Sequence, residues 1–259
     1  HYVYGGSNTR GNVRGGTTLE RKDTNEDCDL KVDEIYGAGQ LAPMDGDLNI
    51  VLECMSDDFV DQVFGGARNA IVDGGVTLTV TSGKIGRVFG CNNIGGSING
   101  PITVNVYDDG CAPLIIGELY GGRNLAPYSI WGCNDNDGKN IWEPNEPSGT
   151  PNVAVGDDAI TVNVYSCTSI GQVFGGGYKA PVIGNTHVWI NMIKGIVNEV
   201  EQSDIGKIGR VFGGGNMAYV EGNTLVEVGT VSNSRDYEGE TNVLDVGVNI
   251  VSGNDYLQP

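Results

Sequence analysis

The sequence predicts an all-β fold, a right-handed parallel β-helix of about seven coils with one long loop insertion. Three observations predict it: a block of about 20 residues that recurs along the chain, a period-two alternation of apolar and polar residues within each block, and 42 glycines among 259 residues, many at matching points of the blocks. A fixed block with linkers of varying length is the mark of a solenoid, in which each repeat buries its apolar face against its neighbours. The right hand is expected because parallel crossovers nearly always take it.

The clearest block runs from Ile208 to Val228, and Ile170 to Ile190 matches it almost residue for residue. Earlier blocks span Val32 to Leu52, Val60 to Val80, Ile85 to Val106 and Ile116 to Val164, and a partial copy opens the chain at Val3-Tyr4-Gly5-Gly6. First and last apolar positions stand 20 residues apart in four of these blocks and 21 apart in Ile85 to Val106. The block from Ile116 to Val164 is about 28 residues longer, so it carries the insertion, at about 127–156. Residues 1–228 thus form the repeat domain, and 229–259, where Val243 to Val251 alternates once more, a last strand or cap. A chain that opens inside a repeat is expected to be part of a longer protein.

Within a block the alternation defines strands: Leu48, Ile50 and Leu52, then Val76, Leu78 and Val80, then Ile102, Val104 and Val106 share one face. Stacked blocks give columns. Val32, Val60, Ile85, Ile116, Ile170 and Ile208 form one interior ladder, and Ile35, Val63, Val88, Leu119, Val173 and Val211 another. Beside the second runs an aromatic file of Tyr4, Tyr36, Phe64, Phe89, Tyr120, Phe174 and Phe212, with rings expected to stack at about 4.8 Å. Whether it faces in or out is left open. A polar column of Glu34, Gln62, Arg87, Glu118, Gln172 and Arg210 places no like charges side by side and is expected to face water. Glycines after each aromatic mark corners that need positive φ or close packing.

The segments Ile170-Gly-Gln-Val-Phe-Gly-Gly-Gly with Gly184-Asn-Thr, and Ile208-Gly-Arg-Val-Phe-Gly-Gly-Gly with Gly222-Asn-Thr, resemble Gly-rich repeats of large secreted or surface proteins of gut Bacteroidales. The likeness covers Val3 to Val228. It implies an extracellular repeat protein and transfers no catalytic residue.

Six cysteines suit an oxidising compartment. Neighbouring rungs lie about 4.8 Å apart, within disulfide reach, so register favours Cys28 with Cys54 and Cys111 with Cys167, and then Cys91 with Cys133. Free buried thiols are the alternative.

A net charge of −18 opposes nucleic acid binding, because a polyanion needs clustered Lys and Arg. No apolar run is long enough for a membrane helix. The two histidines, His1 and His187, are too few for most acid–base or metal schemes, and His187 is expected on the wet side of its strand. A polysaccharide lyase or glycoside hydrolase is the competing class, since β-helices host such enzymes. The carboxylate pairs Asp57-Asp58, Asp108-Asp109 and Asp157-Asp158 do not converge in sequence, however.

Asn134-Asp135-Asn136-Asp137-Gly138 resembles the front half of a Ca²⁺ loop, with Asp135, Asp137 and Glu143 as candidate ligands, although Cys133 and Pro144 stand where carboxylates belong. No other cofactor is expected. Tyr128, Trp131 and Trp142 in the insertion, with Trp189 on the outward side of its strand, are candidate ligand-binding residues, because rings beside carboxamides suit sugar faces and loops on rigid scaffolds carry binding residues. Rings that merely pack the loop down are the plainer alternative. The expected role is a non-enzymatic surface module for adhesion, for glycan or host-ligand binding, or as a stalk.

Overall fold

The computed structural model describes residues 1–22, 32–55, 59–125, 128–129, 158–192, 195–197, 200–202 and 206–229. Among them every regular element is a strand. Two long parallel sheets dominate, each with seven strands whose spatial order follows chain order. The first contains Tyr2–Tyr4, Glu34–Tyr36, Phe59–Phe64, Gly83–Phe89, Leu114–Tyr120, Ser169–Phe174 and Lys207–Phe212. The second contains Thr17–Lys22, Leu48–Glu53, Val76–Val80, Ile102–Val106, Asp158–Val164, Asn185–Ile190 and Thr224–Val228. Two-residue strands such as Met44–Asp45 and Val72–Asp73 pair in parallel between them in sequence. An antiparallel hairpin, Gly195–Val197 with Val200–Gln202, follows the sixth strand of the second sheet. This all-β, parallel arrangement is compatible with the expected β-helix.

The columns read from the blocks are the observed register. Glu34 pairs with Gln62, Gln62 with Arg87, Arg87 with Glu118, Glu118 with Gln172 and Gln172 with Arg210. In the second sheet Ile50, Leu78, Val104, Val162 and Val188 stack in turn. Each is fully buried, and together with Ile35, Val63, Val88, Leu119 and Val173 they form one core shared by both sheets. Truncating one such Leu or Val costs on the order of 2 to 5 kcal/mol, transfer and cavity terms combined.

The aromatic file is a second core. Its rings stack at 4.8 to 5.0 Å between centroids from Tyr4 through Phe212. Alternation puts it on the side of the strand opposite Val63 and Val88, yet Tyr36, Phe64, Phe89 and Tyr120 have no exposed surface. Side chains from the following turns close over it: Asn93 Nδ2 donates to Tyr36 Oη at 2.8 Å, Asn216 Nδ2 donates to Tyr120 Oη at 2.9 Å, and Tyr178 packs edge-on against Tyr120. The file therefore faces away from the main core and is covered.

The glycine after each aromatic is required by close approach. At Gly65 an added Cβ would collide with the carbonyl oxygen of Gly90, and at Gly90 with that of Gly121, because successive corners stack at strand spacing. Gly46 is required on both counts, by its φ of 104° and because an added Cβ would meet the Gly16 backbone.

The cysteine pairing differs from expectation. Cys54 is bonded to Cys111, which excludes both Cys28 with Cys54 and Cys111 with Cys167. The physical reason is unequal linker length. Between the strands Val76–Val80 and Gly83–Phe89 lie only Thr81 and Ser82, so the linker after Val106 folds back across them. Asp109 ties it down, accepting hydrogen bonds from the Thr81 hydroxyl and the Cys54 amide. Cys111 thereby reaches past one intervening rung. Cys167 is buried, Cys91 is buried beside Arg123, and Cys28 and Cys133 lie outside the described residues.

Candidate functional site

Polar and aromatic side chains converge on the outer face of the second sheet, at Asp158–Val164, Asn185–Ile190 and Thr224–Val228. In the middle strand Val188 points into the core, so His187 and Trp189 point outward. Register sets His187 beside Thr161 and Leu225, and Trp189 beside Asn163 and Glu227. The imidazole turns along the strand direction and meets a carboxylate at each nitrogen. Nδ1 lies 2.9 Å from Asp158 Oδ2 and Nε2 lies 2.8 Å from Glu227 Oε2. The Trp189 ring stacks on it with centroids 5.5 Å apart.

Two expectations are corrected here. His187 and Trp189 are outward but not exposed, at 6% and 5% of their surface. An imidazole gripped between carboxylates on both flanking strands and stacked on an indole keeps little contact with water, and the indole loses one face to the same stack. Trp189 is therefore no open platform for a sugar ring. A neutral imidazole has a single N–H, so both contacts are hydrogen bonds only when the ring is cationic. With both nitrogens occupied, the ring has none left to take a proton from a substrate. This arrangement suits the binding together of three strands better than acid–base chemistry.

On the first sheet Arg87 Nε lies 3.1 Å from Glu118 Oε2, as the polar column implied. The pair is partly exposed, and such pairs contribute little net stability. Tyr36 Oη donates to Glu34 Oε2 at 2.6 Å and Tyr120 Oη to Glu118 Oε2 at 3.1 Å. Burial first, and then the neighbouring glutamates, push both phenols well above the usual tyrosine range, against the opposing hydrogen bonds from Asn93 and Asn216.

Ligand-type side chains gather at Cys54, Asp109 and Cys111, but both sulfurs are committed to the disulfide. The candidate Ca²⁺ ligands Asp135, Asp137 and Glu143 and the rings of Trp131 and Trp142 lie outside the described residues. Of Tyr128 only the backbone is described, in the strand Tyr128–Ser129 that pairs with Val182–Ile183.

Sequence reasoning passed over Arg123. It is fully buried, and it donates from Nε to Cys91 Sγ at 2.8 Å and from Nη1 to the Gly96 carbonyl at 2.7 Å. The available signal was its column, where Gly39, Ala67, Gly177 and Gly215 are small. Asn92 in the same column braces its corner, accepting from the Ala67 amide and donating to the carbonyls of Ala70 and Gly95.

Compared with family models, with curated proteins and with solved structures, the chain has no significant match.

Proposed function

We propose that this chain is a right-handed parallel β-helix of seven coils that works outside the cytoplasm as a non-enzymatic module of a secreted or surface protein, in adhesion or in binding a glycan or host ligand. The observation that carries this reading is the pair of seven-stranded sheets laid down in chain order, their columns in register apart from a one-residue shift between Asp158 and Ile160. A chain that returns on each pass to the strand beside its last winds as a solenoid, and right-handed crossovers are the rule. The result is a stiff ladder with two cores.

The Cys54–Cys111 disulfide favours an oxidising, non-cytoplasmic setting, and no helix among the described residues is long and apolar enough to cross a membrane. The engagement of both His187 nitrogens by carboxylates favours a structural over a catalytic role for the one histidine held in a strand. Trp131 and Trp142 in the insertion supply the ligand contacts, with Asp135, Asp137 and Glu143 organising the loop around Ca²⁺.

The test is a glycan and host-protein array probed with and without Ca²⁺, using the wild type and Trp131→Ala and Trp142→Ala. Binding that both substitutions abolish without loss of fold is the expected result. A blank array, or new reducing or unsaturated sugar ends after incubation with polysaccharides, would overturn the reading.

A further inference from the structure

Cys54, Asp109 and Cys111 are the one place among the described residues where three His, Cys, Asp or Glu side chains bring their ligand atoms within 4.8 Å of one another. The disulfide is not the only thing that assembles them. The Cys54 linker is held at Met55, whose amide donates to the Ser82 hydroxyl at 2.8 Å. The Cys111 linker is held at Tyr107 and Asp109, whose amides donate to the carbonyls of Val80 and Thr81, each at 3.2 Å. Both linkers are thus fixed to the same short corner, Thr81-Ser82, independently of the S–S bond. Cys54 itself has φ 43° and is the only non-glycine residue with positive φ among the described residues. Such a conformation persists where the surroundings over-determine it.

Asp109 is oriented as a ligand. Its Oδ2 accepts from the Thr81 hydroxyl and the Cys54 amide, and its Oδ1 from the Cys111 amide at 2.8 Å. An ionised carboxylate has about four acceptor sites, so one is left on Oδ1. Carboxylates that bind metals are held by outer hydrogen bonds of this kind. We propose that the reduced form of this cysteine pair is a zinc site, with the Cys54 and Cys111 thiolates and the Asp109 carboxylate as three ligands and water as the fourth. Two thiolates select a borderline-soft ion over Ca²⁺ or Mg²⁺, and a tetrahedral set of two sulfurs and two oxygens suits Zn²⁺.

In the oxidised chain the two sulfurs bond each other, and Cys111 is exposed, so an external thiol can reach it. A thiolate of a small dithiol attacks Cys111 Sγ and Cys54 leaves as its thiolate. The second sulfur of the dithiol then closes the reductant to its own disulfide and frees Cys111, leaving two thiols on the chain. Zn²⁺ displaces both thiol protons. Tetrahedral Zn–S bonds of about 2.3 Å set the sulfurs about 3.8 Å apart. Rotation of the exposed Cys111 side chain supplies that parting from the bonded 2.00 Å, across Cα atoms 5.1 Å apart. Disulfide and metal are therefore alternative states of one pair, and oxidation expels the ion.

The proposal goes beyond the adhesion reading and does not rest on it, and its variants leave Trp131 and Trp142 untouched, so the two stand or fall separately. The test takes the full chain, reduced with dithiothreitol, desalted without oxygen and titrated with Co²⁺ as a spectroscopic stand-in for Zn²⁺. One equivalent is expected to give a thiolate-to-cobalt charge-transfer band and the visible bands of a tetrahedral ion, both bleached by Zn²⁺, whereas the oxidised chain gives neither. Cys54→Ser and Cys111→Ser are each expected to abolish tight binding, and Asp109→Asn to weaken it at least about 10-fold. Cys28→Ser with Cys133→Ser leaves it unchanged. Oxidation of the zinc-loaded chain is expected to release one equivalent of Zn²⁺ to a chromogenic chelator. A reduced chain that binds no Co²⁺ at micromolar concentration, that loses its β-sheet circular dichroism on reduction, or that binds equally well after Cys54→Ser and Cys111→Ser would overturn the proposal.

Discussion

Cys54 and Cys111, 57 positions apart, are bonded with their Cα atoms 5.1 Å apart, and Asp109 stands between their linkers, also accepting from the Cys111 amide through Oδ1 at 2.8 Å. The bond reaches past one strand of the second sheet. It closes a loop that contains all of Phe59–Phe64, Val76–Val80, Gly83–Phe89 and Ile102–Val106. A peptide map without reductant is expected to yield Cys54 linked to Cys111 and no peptide joining Cys28 to Cys54. Replacing both by Ser is expected to cost about 4 kcal/mol in the chain-entropy account, read from denaturant unfolding.

Gly65→Ala and Gly214→Ala separate the two meanings of glycine in this chain. The first sets a methyl against the Gly90 carbonyl in a corner that cannot spread without breaking its ladder, and a loss of about 2 to 4 kcal/mol is expected. At Gly214 a Cβ meets nothing within 4 Å and no positive φ is needed, so the substitution is expected to be neutral or to stabilise by under about 1 kcal/mol. Thermal melts of the two variants provide the check. Equal melting points would refute the close-approach account.

His187→Gln keeps one hydrogen bond and removes the ring that bridges Asp158 and Glu227. Since both carboxylates are partly exposed, the expected loss is about 1 to 3 kcal/mol, below that of a fully buried pair. Denaturant unfolding of His187→Gln, Asp158→Asn and the double variant is expected to show losses that do not add, because the ring and the carboxylate stabilise the fold through one shared contact. Losses that simply add would contradict the clamp.

Tyr36 and Tyr120 give a dependence on alkaline pH. Their phenols hold protons more tightly in the folded chain than in the unfolded one, so at any pH below the ordinary tyrosine value of about 10 the two states bind equal numbers of protons and stability is unaffected. Above it the unfolded chain releases protons that the folded chain retains, and stability falls as pH rises. Tyrosinate absorbance is expected to lag behind that of the exposed tyrosines, and Tyr36→Phe with Tyr120→Phe to flatten the decline. Two phenols titrating with the rest would contradict the prediction.

Periodicity and block spacing determined the strands, their register and the membership of each column, because a parallel ladder repeats every rung and the same residue class must recur wherever the same neighbours recur. The aromatic stack and the Arg87–Glu118 pair follow from that regularity alone. Tertiary structure decided what the repeat does not encode. The disulfide depended on linkers of unequal length, one of them short enough for the next to fold across it. The clamping of His187 depended on two carboxylates reaching along their strands to a ring that alternation had placed only on the outer face. The covering of the aromatic file depended on asparagines from turns two rungs away. Sequence period reports which side of a strand a residue occupies; whether water reaches that side is settled by side chains from elsewhere in the chain.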